Sequence, residues 1–125
     1  MAAAILDHTV ETLESAQSVI SKLKATNICT ESAFAFMFAC IGRGRHHYHS
    51  ENVETIAFRK VFPHVPVFGF FGNGEVGHDY LPDYSQAGHE EYSVVDFSNS
   101  QESVYPTVRH SYTTVIVLIS PGKNS

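Results

Sequence analysis

Ala33-Phe-Ala-Phe-Met-Phe-Ala-Cys-Ile41, followed at once by Gly42-Arg43-Gly44-Arg45, decides the fold. Nine uncharged residues stop abruptly at flexible backbone carrying cations. A core helix is the competing reading, but three phenylalanines and the glycines beyond them favour a strand, and so unbroken an apolar run is the pattern of a strand buried on both faces. A second run of this kind, Val65–Phe71, ends in Gly72-Asn73-Gly74-Glu75. Pro66 lies near its start, where a missing N–H does least harm. Between the two, Val53, Ile56, Ala57 and Val61 share one helical face, with a cap expected from Ser50–Asn52 and a stop at Pro63. A strand, a helix and a second strand in this order place both charged ends on one edge of a sheet, the edge where open α/β sheets form their binding sites.

Working outward, Ala2–Leu6 reads as a first strand ended by Asp7-His8. Thr12 is the expected N-cap of a helix whose core stripe is Leu13, Ala16, Ile20 and Leu23, with Asn27 closing it. Tyr112–Ile119 is strongly β-prone and is stopped by Pro121-Gly122. Residues 78–110 read as a long irregular acidic insert, within which Tyr92–Phe97 is a candidate added strand. The expected fold class is α/β (α+β): a single mixed sheet of about five strands with two main helices packed on it and the insert before the last strand. One domain over 1–125 accounts for the length.

Hydrophobic residues make up 43% of the 125 and charged residues 17%, ordinary for a globular chain. The net charge of −5 sits in the insert, where Asp79, Asp83, Glu90, Glu91, Asp96 and Glu102 face only Arg109. Such a distribution disfavours nucleic acid as a partner. No apolar run approaches the roughly 20 residues of a bilayer span, and the first six residues lack the basic start of a signal peptide. Cys29 and Cys40 form no CxxC pair and read as reduced thiols, which suits cytoplasm or nucleus.

Gly72-Asn-Gly-Glu-Val-Gly77 spells GxGxxG, but a dinucleotide site needs those glycines to open a helix, and Pro82 follows too soon. The glycines fit a tight turn instead. Arg43 and Glu75 are expected to meet across neighbouring strand ends, either as a structural ion pair or as a clamp in which Arg43 or Arg45 grips a carboxylate. Cys40 reads as a small hydrophobe ending the strand, or as a thiol made more reactive by the arginines after it. His46, His47 and His49 have poor spacing for a metal and read as a solvated basic loop. Phe34, Phe36, Phe38, Phe68 and Phe70 are mostly core by composition. Alternation nevertheless divides the residues of these two strands between both sheet faces, and a face that the helices leave bare needs another domain or a partner.

Taken together, Phe36-Met-Phe-Ala-Cys-Ile-Gly-Arg-Gly44, Asn52-Val-Glu54 with Ala57-Phe-Arg-Lys60, Val65-Pro66, Phe68-Gly-Phe-Phe-Gly-Asn-Gly-Glu75 and His110-Ser-Tyr-Thr-Thr114 resemble the C-terminal FIST domain, as it occurs at the carboxyl end of F-box proteins. The runs occur in order across most of residues 10–119, with no family pattern over 77–109. The resemblance implies a non-catalytic module that reads protein substrates for an SCF-type ubiquitin ligase, or a sensory domain for a small amino-acid-like ligand. Neither an F-box nor an N-terminal FIST half is expected within these residues, so adaptor binding is not expected either. A protein substrate or the N-terminal FIST half is the implied partner, with a small acidic ligand as the alternative; membrane and cofactor are not implied. The candidate binding residues are Cys40, Gly42, Arg43, Gly44, Arg45, Gly72, Asn73, Gly74 and Glu75.

Overall fold

In the computed structural model, which describes residues 1–73, 75–85, 109–110 and 112–122, the chain folds as β1 (Ala2–Leu6), α1 (Leu13–Ala25), β2 (Phe34–Cys40), a 3-10 turn (Ile41–Arg43), α2 (Arg45–Tyr48), α3 (Val53–Val61), β3 (Val67–Gly72), β4 (Glu75–Val76), β5 (Arg109–His110) and β6 (Thr114–Ile119). The class is α+β. Four strands form one mixed sheet in the order β1-β6-β2-β3. Strand β6 lies antiparallel between β1 and β2, and β2 pairs in parallel with β3, from Ala35 opposite Val67 to Cys40 opposite Gly72. Among the described residues the sheet has four strands, where about five were expected, and β4 pairs with β5 in a separate two-stranded ladder. The Tyr92–Phe97 strand and the Gly74 position lie outside the described residues.

Helix α1 begins as its sequence dictates. The Thr12 hydroxyl accepts the Ser15 N–H at 3.1 Å while Ser15 Oγ accepts the Thr12 N–H at 3.1 Å, a reciprocal capping box. Asn27, at φ 58°, closes the far end in the left-handed conformation that asparagine tolerates better than most. Helix α3 follows Asn52, also left-handed at φ 59°, whose side chain makes no cap bond.

Both main helices lie on one face of the sheet. Ala16, Ile20 and Leu23 from α1 and Ala57, Phe58 and Val61 from α3 meet Leu6, Ala35, Met37, Ile116 and Leu118, all buried. The other face is different. Burial alternates along β2, so Phe34, Phe36 and Phe38 are only half-buried, and Phe68 and Phe70 are 59% and 65% exposed. The expectation of a strand buried on both faces is corrected here, because both main helices lie on a single side. The rings on this side, which no described helix covers, contact one another, Phe38 and Phe70 edge to face at 5.3 Å. Part of this side is covered near Val115, where Gly77 comes so close that an added Cβ would stand 2.7 Å from a Val115 methyl. Among the described residues no helix is long and apolar enough to cross a membrane.

Candidate functional site

The ends of β2 and β3 do lie side by side, as parallel pairing requires, but their charges do not meet. The 3-10 turn after β2 carries the Arg43 side chain inward, where it is 1% exposed. Its Nε donates to Glu54 Oε1 at 2.9 Å, Nη1 to the carbonyls of Asp7 and Tyr112 at 2.7 and 3.1 Å, and Nη2 to the Val10 carbonyl at 3.2 Å and to the Tyr48 hydroxyl. All five guanidinium N–H groups are engaged. Glu54, on the first turn of α3, completes the network: Oε1 accepts from Tyr48 at 2.6 Å and Oε2 from the Thr114 hydroxyl at 2.7 Å. Burial, reinforced by the Glu54 charge and hydrogen bond, pushes the Tyr48 phenol above its ordinary value of 10.0. The expected Arg43–Glu75 pair is therefore replaced by Arg43–Glu54.

Glu75 has its own task. Buried to 5% exposure, it accepts the Thr113 N–H at 2.8 Å and the Thr113 hydroxyl with Oε1, while Oε2 has no partner among the described residues. The Thr113 carbonyl in turn accepts the Cys40 N–H at 2.9 Å. Cys40 and Glu75 are thus brought together through Thr113, at the entrance to β6. Gly42 lies under the Tyr112 ring, 2.9 Å from where a Cβ would be, and Gly72 ends β3 opposite Cys40. Asn73 is exposed.

The rest of the set faces outward. Arg45 opens the short helix α2 with its side chain 76% exposed, paired loosely with Glu51 at 3.9 Å. Gly44 sits 3.8 Å from the Phe71 ring by its Cβ direction. His46 and His49 are exposed, whereas the His47 ring is half-buried, with Nε2 2.7 Å from the Val10 carbonyl oxygen. Among the described residues no three His, Cys, Asp or Glu side chains converge as a metal site would require.

What sequence reasoning did not single out is the cavity beside these residues. It encloses about 200 Å³ between β3 and the start of α3, with Met37, Ala39, Val67 and Phe71 as apolar walls and Tyr48, Asn52 and Thr55 at the rim. Phe71 is 60% exposed there. The only signal for it was the Asn52-Val-Glu54 run, which marks the residues that hold its rim. A positioned thiol lies nearby as well. Cys40 and Cys29 are both half-buried and unpaired, and native-state iodoacetamide labelling is expected to modify Cys40, at the open end of β2, ahead of Cys29. Equal rates that rise only in denaturant would refute this.

The FIST C domain family matches residues 2–78. F-box only protein 22 of Homo sapiens is 40% identical over 124 residues, and its counterpart in Pongo abelii is 39% identical over the same length. Each alignment covers 98% of this chain, and the chain spans 28% of the length of these curated relatives.

Proposed function

Because the chain belongs to the FIST C domain family, we propose that it is a non-catalytic protein-recognition module, similar to the substrate-reading part of an F-box subunit in ubiquitin-dependent turnover. One observation carries this reading: β3 presents Phe68 and Phe70, 59% and 65% exposed, on one sheet face against the rings of Phe36 and Phe38, and the strand has no charge. Exposed aromatics packed together on a rigid sheet are the usual anchors of protein interfaces. Arg45, 76% exposed just beyond the end of β2, is the polar rim this reading assigns to the patch.

A small-ligand sensor is the second reading, and the cavity is what favours it. At about 200 Å³ it falls below the roughly 300–1,000 Å³ of sites that enclose a drug-sized ligand. It suits one amino-acid-sized group, whether a protruding side chain of a protein partner or a free amino acid.

The test compares Phe70→Asp and Arg45→Glu with the unaltered chain in precipitation from proteasome-inhibited lysate, with circular dichroism as the check on folding. Phe70→Asp is expected to abolish capture of discrete proteins, and Arg45→Glu to weaken it, while both stay folded. Unchanged capture by folded Phe70→Asp would reject the surface. Thermal stabilisation by free amino acids, growing as RT ln(1 + [L]/Kd), would instead support the sensor.

A further inference from the structure

The two edges of the sheet are treated differently. At β1 the outer edge is closed: Ala3 and Tyr80 exchange N–H to carbonyl bonds of 2.8 and 2.9 Å, and the Asp79 carboxylate accepts the Ile5 N–H at 2.9 Å. At β3 the outer edge has no strand and no backbone hydrogen bond among the described residues. Edge strands ordinarily carry a charge, a proline or a bulge that blocks further pairing. Between Val67 and Gly72 there is no charge and no proline.

A groove runs beside this edge. The cavity at Phe71 and a shallower hollow bounded by Arg59, His64 and Pro66 share Thr55 and Val67, so together they follow β3 along the flank of α3. Six strand residues extend about 20 Å, enough to pair with a short peptide through its backbone. Arg59 stands at one end, exposed and without an ion pair among the described residues.

We propose that a short extended segment of a partner protein, apolar at alternate positions and bearing an acidic side chain at the end beside Arg59, adds to β3 as a fifth strand. The inference rests on the protein-recognition reading and specifies its mode. Backbone bonds to the free edge supply affinity, alternate side chains enter the groove and the cavity at Phe71, and the acid fixes register against Arg59. A second copy of this chain is a poorer occupant. Antiparallel pairing of two β3 strands about a two-fold axis would offer the Arg59 of each copy no acid on the β3 of the other.

A random-sequence peptide library displayed on phage, selected on the folded chain, tests this. Enriched sequences are expected to alternate apolar residues and to end in Asp or Glu. Arg59→Glu should weaken the synthetic consensus peptide at least about tenfold, and replacing the peptide's acid by Lys should restore binding to that variant. An ester in place of one backbone amide should weaken binding about tenfold through the lost N–H donor. The inference is overturned if nothing enriches, if binding ignores Arg59→Glu, or if ultracentrifugation shows a dimer that Phe70→Asp dissociates. Failed selection alongside protein capture that still depends on Phe70 would remove strand addition alone. Failure of both would remove the recognition reading as well.

Discussion

Arg43→Met is expected to destabilise the fold by about 4 kcal/mol, since removing one member of a buried ion pair typically costs about 3–5 kcal/mol. The loss reaches beyond the pair. The guanidinium ties the Asp7 and Val10 carbonyls after β1, the Tyr112 carbonyl before β6, Tyr48 of α2 and Glu54 of α3. Without it the Glu54 carboxylate stays buried, held only by two hydroxyls. Domains of this size have roughly 5–15 kcal/mol in total, so urea unfolding of the variant should begin close to zero denaturant. Arg43→Met combined with Glu54→Leu should recover part of the loss, because no buried charge then lacks a partner. A change below 1 kcal/mol in the single variant would mean that water reaches the network in solution.

Gly69→Ala ranks next, at about 3 kcal/mol. A Cβ built on Gly69 would stand 1.9 Å from the Met37 carbonyl oxygen, with the Met37 carbonyl carbon at 2.8 Å. These are backbone atoms of β2, so no rotamer relieves the clash. The strands must separate, and Met37 is part of the core beneath. Phe68→Ala, one residue away but exposed, should change stability by no more than about 0.5 kcal/mol. At roughly 4 °C per kcal/mol, Gly69→Ala should melt about 12 °C lower than the unaltered chain. Coincident melting of the two variants would show that β3 is held only loosely to β2.

Local features were legible in the sequence where a single residue type dictates them. Ala2–Leu6 coincides with β1, Thr12 caps α1, and Asn27 adopts the left-handed conformation that closes it. The parallel neighbours β2 and β3 followed from the two apolar runs and the helix between them. Side-chain direction did not follow. Strand ends that lie together suggested an Arg43–Glu75 contact, but the 3-10 turn rotates Arg43 into the interior, and only the folded position of α3 brings Glu54 to it. Nothing local marks Glu54, an acid in the first turn of α3, as buried. Phe68 and Phe70 looked like core because composition records apolarity and not which sheet face the helices cover. Of the candidate residues, Gly42, Gly44, Gly72 and Arg45 do sit at or just beyond the ends of β2 and β3, while the cavity beside them is built from residues far apart in sequence.

The strand order has a consequence for how the protein is made. Strand β6 occupies an inner position, between β1 and β2, yet it follows every other described element in the chain. While a ribosome adds the residues between Cys40 and Ile119, roughly 4 to 16 s at ordinary rates of synthesis, β1 and β2 have no strand to join them. Through that interval Leu6, Ala35 and Met37, which Ile116 and Leu118 of β6 help to bury, wait on an incomplete sheet, where chaperones have their chance to hold the nascent chain. Closure is a late, non-local event in which residues 2–6 find residues 114–118, the kind of pairing that slows folding most.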